Sequence, residues 1–305
     1  LLDSTFAGQS LIEYAEKLEE WSGGKLTLEI FDGGVLGGDA DILAGVQQGT
    51  IDCHQGANTA LAAKIPEVYI LDSNGIFDTP EEFNQVFSRD GELFDLLQTC
   101  YEEQGLHLIN IYTDSFRQVT SNVAVISVED LQAVRMRTME NSYQVAFWEM
   151  LGVTAVPYSF TELYLALEQD VVNSAEGPLN TSVIPSRLYE VQEYLIMTNH
   201  MPSVMVTTIN LERWEGLSEE YQQLLERMFD EQMEERISNA AQEEENLLLL
   251  CQEYGMTVLY PDEELKEAIR QTGLKNLDTL EDVCAEEVFQ AYRAALEEVG
   301  VLEPE

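Results

Sequence analysis

Positive charge is what this sequence has least of. Fifteen lysines and arginines face 57 aspartates and glutamates, a formal net charge of −42. Such a surface repels nucleic-acid phosphates and offers no basic patch to anionic lipid, so neither partner is expected. The simplest role of the charge is to keep the chain in solution. Long apolar runs are also missing: nothing approaches the roughly 18 residues that a membrane-spanning helix needs. No signal-peptide pattern is present, and the opening Leu1-Leu2-Asp3-Ser4-Thr5 reads as a mature or trimmed form. Cysteine is scarce. Cys53, Cys100, Cys251 and Cys284 show no metal-type CxxC spacing and leave any disulfide pairing open; isolated buried thiols are the simpler state.

Catalytic signatures are missing as well. His54, His107 and His200 are too scattered for a metal cluster. Cys53 and His54 are adjacent on a strand-like run, so their side chains point to opposite faces and form no dyad. No GxSxG elbow, HExxH or P-loop occurs. Carboxylates are so abundant that no pair stands out. An enzyme is not expected, and neither is a cofactor.

What is there suffices for a globular protein: 305 residues that are 45% hydrophobic can build two domains with cores. Leu11 to Trp21 reads as an amphipathic helix. Lys25 to Phe31 alternates like a strand, and a glycine-rich turn follows at 33–38. Asp39 is placed to cap a helix over 40–48 that Gly49 closes, and Ile51 to Gln55 reads as a short strand. This β-α-β order favours a parallel sheet. Thr79-Pro80-Glu81-Glu82 is a capping box with proline at the first helical position. Strands are expected at Leu106–Tyr112, Val134–Thr138, Val153–Val156, Val171–Ala175, Tyr194–Thr198 and Val204–Ile209, with helices at Ser142–Leu151 and Phe160–Glu168 between them. From Ser218 to Tyr254 there is neither proline nor glycine; one helix over this span would run about 55 Å, enough to brace two lobes. Thr279 to Val299 reads as another helical segment.

Against the shortage of cations, Arg135 and Arg137 lie inside a strand-like run, and Arg117 lies in another. An arginine offers a rigid fork that matches a carboxylate. Either an anionic ligand or an internal ion pair accounts for such residues, and spacing alone favours the ion pair.

Longer motifs carry more. FRQVTSN (116–122) followed by ISVEDLQAVRMRT (126–138), LGVTAVPYSFTELYLALEQDVVNSAEGP (151–178), LYEVQEYLIMTNH (188–200) and GGKLTLEIFDGGVLGGDADILAGVQQGTID (23–52) resemble the solute-binding proteins of TRAP (tripartite ATP-independent periplasmic) transporters. The central segment is most similar to sialic-acid-binding members. The resemblance implies an α/β, two-lobed, periplasmic-binding-protein-like fold, with a ligand cleft between the lobes and a long bridging helix at about 218–254. It places 1–114 and 205–240 in lobe I, and 115–204 and 241–305 in lobe II. It implies an extracytoplasmic protein, in the periplasm or tethered at a cell surface. Such a protein acts as a monomer, captures an organic acid and hands it to the membrane subunits of a TRAP transporter. A sugar-acid binder or a ligand-sensing receptor subunit is the alternative.

The resemblance also implies roles. Arg137 would pair with the ligand carboxylate, Arg117 would contact the acid, and Phe160 would form an aromatic wall. Asn58, Asp39 and Glu140 lie in segments that approach the ligand. Glu176 would support the binding loop. Gly177 stands where the family usually carries an asparagine, and Met139 where it usually carries proline. Polar residues expected near Ala57 to Ala60 for sialic acid are reduced, which points to a less hydroxylated acid. The family's first strand precedes its first helix; too few residues precede Leu11 for it, so that strand is expected to be missing or shifted.

Overall fold

A computed structural model describes residues 5–303. The expectation about a first strand ahead of the first helix falls largely outside them. Helix α1 (Phe6–Trp21) starts at once, with Thr5 as its N-cap.

Seven strands form one mixed sheet: β1 (Cys53–Gly56), β2 (Leu106–Ser121), β3 (Arg135–Thr138), β4 (Thr154–Pro157), β5 (Ser174–Gly177), β6 (Tyr194–Asn210) and β7 (Thr257–Leu259), in the order β1-β6-β2-β5-β3-β4, with β7 also on β6. Two expectations are corrected here. Strand β1 pairs antiparallel with β6, so the early β-α-β reading gives no parallel neighbour. Residues 26–32 join no ladder among the described residues. Their alternation was real, but a strand also needs a partner for its backbone groups.

Strands β2 and β6 run antiparallel along their length, 16 and 17 residues respectively, and carry the chain from one lobe to the other. One edge of β6 serves both lobes: Val206–Ile209 pairs with β1, and Tyr194–Ile196 with β7. The β2–β6 register slips at three places, one of them between Thr113 and Phe116. Asn84 repairs the backbone there, accepting from Thr113 N at 2.8 Å and donating to Thr113 O at 2.9 Å. It lies in α3 (Pro80–Val86), which starts at the expected capping box with Thr79 Oγ1 and the Glu82 carboxylate both engaged.

Helix α8 (Glu219–Glu253) is continuous over 35 residues, about 52 Å at 1.5 Å per residue. Its first half packs Leu225, Met228 and Phe229 with Tyr14 and Leu18 of α1. Its second half packs Leu247 and Cys251 with Leu163, Leu167 and Leu195 in the other lobe. Between them Arg236 is buried on Asp114 and Tyr112 of β2, with Nη1 3.2 Å from the tyrosine hydroxyl. Helix α9 (Glu263–Asp278) places Leu265 and Ile269 in the second lobe beside Met136 and Trp148. The expected helix over 279–299 is instead a 3-10 turn and then α10 (Glu286–Glu298). Val288, Phe289 and Tyr292 of α10 pack with Phe83, Phe87 and Leu97 in the first lobe. The apolar face of α10 matches the aromatic cluster of α3 and of α4 (Glu92–Glu102). All four cysteines are free thiols. Among the described residues, no helix is long and apolar enough to cross a membrane.

Candidate functional site

The cleft between the lobes is built around two buried arginines that differ in what holds them. Arg137 sits in β3, between Val156 of β4 and Ala175 of β5. Strand alternation sends Met136 into the core and Arg135 and Arg137 to the other face. Arg135, at the solvent end, pairs with Asp170 at 2.8 Å. Arg137 is 3% exposed and donates from Nε to the Tyr158 carbonyl at 2.9 Å. Among the described residues it makes no ion pair with any carboxylate. Burial pulls its guanidinium down to about 10; Glu176 opposes this, Arg117 adds to it, and Asp39 and Glu140 oppose it in turn. It remains a full cation at neutral pH.

Arg117, in β2, is held by Glu176 of β5. Its Nε and Nη2 both meet the carboxylate, Nη2 to Oε1 at 2.8 Å, and Nη2 also reaches the Glu176 carbonyl at 3.2 Å. His200 Nε2 lies 3.4 Å from the same carboxylate. Burial alone would raise the Glu176 carboxyl, but the charge of Arg117 and the hydrogen bonds from His200 and Arg117 hold it well below the usual range.

Gly177 follows Glu176. A Cβ there would stand 2.7 Å from Ser182 Oγ and 2.8 Å from Ser182 Cβ. The space an asparagine side chain would take is filled by Ser182, on a tight turn over Leu179–Val183. Asp39 opens α2 (Asp39–Gln48), where the helix N-terminus favours an acid. Gly38, rather than Asp39, is the N-cap, because Asp39 already has its place in the first turn. Surrounding protein raises the Asp39 carboxyl, and Arg137 and then Arg117 pull it back. Glu140 is exposed on the turn between β3 and α5 (Ser142–Met150). Phe160 is 40% exposed. Its neighbour Thr161 approaches Gly34 of the glycine-rich turn, where an added Cβ would stand 3.6 Å from the threonine methyl. Asn58 is buried, with Oδ1 3.1 Å from His54 Nδ1.

Deeper in the cleft, Asn58, Thr59 and Asp72 of the first lobe, Arg117 and Met139 wall a small, partly open cavity. The sequence reading missed Asp72, its partner Asn141, and Tyr158. Asp72 Oδ2 accepts from Thr59 Oγ1 at 3.0 Å and from Asn141 Nδ2 at 2.5 Å. Burial pushes Asp72 up to about 7, against the Thr59 hydrogen bond and the Arg117 charge. Asn141 does two jobs: its Oδ1 caps α5, accepting from Tyr143 N at 2.8 Å, while its amide nitrogen reaches across to Asp72. Tyr69 Oη and Ser142 Oγ, 2.9 Å apart, form a second bridge nearby.

Two lobes joined by crossing strands, with charge-bearing side chains converging on the gap, are the architecture of a solute-binding protein. The chain belongs to the bacterial extracellular solute-binding protein family 7 (DctP), whose model matches residues 2–281. It is 27% identical over 248 residues to the 2,3-diketo-L-gulonate-binding periplasmic protein of Escherichia coli K12, covering 81% of this chain and 75% of that protein. It is 25% identical over 260 residues to the sialic acid-binding periplasmic protein of Vibrio cholerae, covering 84% and 79%. Among solved structures, the sugar acid binding protein of Advenella mimigardefordensis in complex with galactonate superposes with a TM-score of 0.90 at 25% identity, covering 98% of this chain and 96% of that one. A TRAP periplasmic solute binding protein of Desulfovibrio salexigens with bound orotic acid shares the fold, with a TM-score of 0.91 at 24% identity and the same coverages, 98% and 96%. The family and these neighbours are binding proteins rather than enzymes.

Proposed function

We propose that this protein is the extracytoplasmic receptor of a TRAP-type transporter, that it binds an organic acid through Arg137, and that it works as a monomer handing the acid to the membrane subunits. One observation carries the reading: in a chain of net charge −42, Arg137 is buried and makes no ion pair among the described residues. A buried cation without a counter-ion is costly, and a ligand carboxylate supplies one. The comparison between the arginines supports the same choice. Arg117 is already engaged on Glu176, whereas the far end of the Arg137 fork is open. Asp39 and Glu140 act on Arg137 electrostatically, but neither forms an ion pair with it among the described residues. The acids named for the relatives, 2,3-diketo-L-gulonate and galactonate among them, support a sugar acid as the alternative reading. Gly177, backed by Ser182 and without an amide, favours an acid with fewer hydroxyls.

Binding would draw the lobes together through contacts that only the closed state makes, of the kind Asn141 makes with Asp72. Isothermal titration with a panel of mono- and sugar acids, on the wild type and on Arg137→Ala, tests the assignment. The variant is expected to lose about 10- to 100-fold in affinity, the contribution of a hydrogen bond to a charged group. Undiminished affinity would refute the role of Arg137. Arg137→Lys is also expected to weaken binding, because a point charge cannot reproduce the bidentate fork.

A further inference from the structure

Asp72 carries an unused acceptor in the wall of the cavity beside Arg117. It ends the 3-10 segment Pro66–Asp72 and is 4% exposed. Both hydrogen bonds that hold it, from Thr59 and from Asn141, go to Oδ2. Among the described residues, Oδ1 accepts none. The two donors fix the plane of the carboxylate, so the free oxygen has a defined direction. No cation is paired with Asp72 either, since Arg117, the nearest in the cavity wall, is spent on Glu176. Around this polar corner the cavity is apolar, with Leu71, Met139, Met201 and Val204 among its walls.

We propose that Asp72 Oδ1 accepts a hydrogen bond from the solute, which is therefore a monocarboxylate with an apolar body and a hydroxyl or ammonium donor away from its acid group. This rests on the reading that the solute's acid meets Arg137. Above about pH 7, where its carboxyl is ionised, this fixed acceptor rewards a donor and repels a second carboxylate, so Asp72 sets specificity in two directions. An alternative role for Asp72, as a latch to Asn141 alone, predicts no dependence on the end group of the ligand.

The distinction is made with acids that differ only at the end opposite the carboxylate. Butanoate, 4-hydroxybutanoate and succinate form one trio, and hexanoate, 6-hydroxyhexanoate and adipate another. Titrated into the whole protein at about pH 8, the hydroxy acid of at least one trio is expected to bind about 10-fold more tightly than the methyl-ended acid. The diacid is expected to bind more weakly than either. Asp72→Asn keeps the shape and leaves an oxygen for Thr59 and Asn141, but turns the Oδ1 position into a donor. In this variant the hydroxyl advantage should vanish and the diacid penalty should shrink. Circular dichroism and a cooperative melt show that Asp72→Asn is folded, and the readout is the ratio of affinities within a trio, which a general loss of binding leaves unmoved. A diacid that binds wild type as tightly as the hydroxy acid overturns the proposal. So does an order of affinities that Asp72→Asn leaves intact, or a wild type that binds none of the six. Arg137→Ala, run in parallel, should weaken all three members of a trio alike. If it weakens none while Asp72→Asn still reorders them, the Arg137 reading falls and the Asp72 assignment stands.

Discussion

Arg117 and Glu176 are held face to face in the floor of the cleft, with Nη2 2.8 Å from Oε1 and both side chains closed off from solvent. The pair lies across the β2–β5 ladder, where Gln118 opposes Gly177 and Val119 opposes Glu176. It makes Glu176 the counter-ion of one cleft arginine and leaves the other open.

Removing the counter-ion strands a buried cation. Glu176→Gln is expected to destabilise the protein by about 3–5 kcal/mol, read as a lower urea midpoint at neutral pH. The variant should also change the acid limb of the stability curve. The Glu176 carboxyl is held below its ordinary value in the folded state, so its contribution is present above the unfolded value of about 4.5 and is lost as pH falls below it. The gap between wild type and Glu176→Gln should therefore be full at neutral pH and narrow progressively in acid. A gap that widens in acid would contradict the assignment.

Gly177 is tied to Ser182 by space. Gly177→Asn, which restores the amide usual in relatives, forces side-chain atoms to within 2.7 Å of Ser182 Oγ. Overpacking of this kind costs about 1–3 kcal/mol, expected as a drop in melting temperature. Combining it with Ser182→Gly, which removes both clashing atoms, should recover more than the sum of the single changes allows. Strictly additive melting shifts would show that the two positions do not compete for space.

The ion pair between Arg236 and Asp114 fastens α8 to the crossing strands at their bulge. Asp114→Ala leaves Arg236, 1% exposed, without its carboxylate and should cost about 3–5 kcal/mol in urea unfolding. Replacing both, as Arg236→Met with Asp114→Leu, should be far milder, because the desolvation cost of both charges disappears with them. A double variant as unstable as the single one would mean that the pair is needed for more than charge compensation.

The parts of the fold that the sequence revealed are those with local causes. The capping box at Thr79 and the uninterrupted run that became α8 needed only neighbouring residues to be recognised. The crossing strands show the opposite case. Thr113, Asp114 and Ser115 look like a loop after Tyr112, and Asn199 to Ser203, with a proline and a positive φ at Asn199, look like a break. Both stretches stay in strand because distant groups satisfy them: Asn84 takes the backbone of Thr113 and Arg236 the carboxylate of Asp114, while Gln118 accepts from Asn199 N at 3.0 Å and Thr113 Oγ1 donates to Ser203 O at 3.1 Å. In the cleft, Arg137 and Arg117 were legible through the motifs around them. Asp72 was not, because its partner Asn141 lies 69 residues away and nothing near either residue marks the contact. The strand expected at 25–31 failed for a related reason, since alternation reports a face and says nothing of a neighbour.

Helix α10 closes the aromatic cluster of the first lobe from the far end of the chain: Phe289 and Tyr292 complete a core that Phe83 and Leu97 begin. Synthesis therefore delivers the opening part of this lobe long before its last wall. Without α10 the first lobe keeps an open apolar face, so its two sequence-distant parts must meet before that lobe can lock.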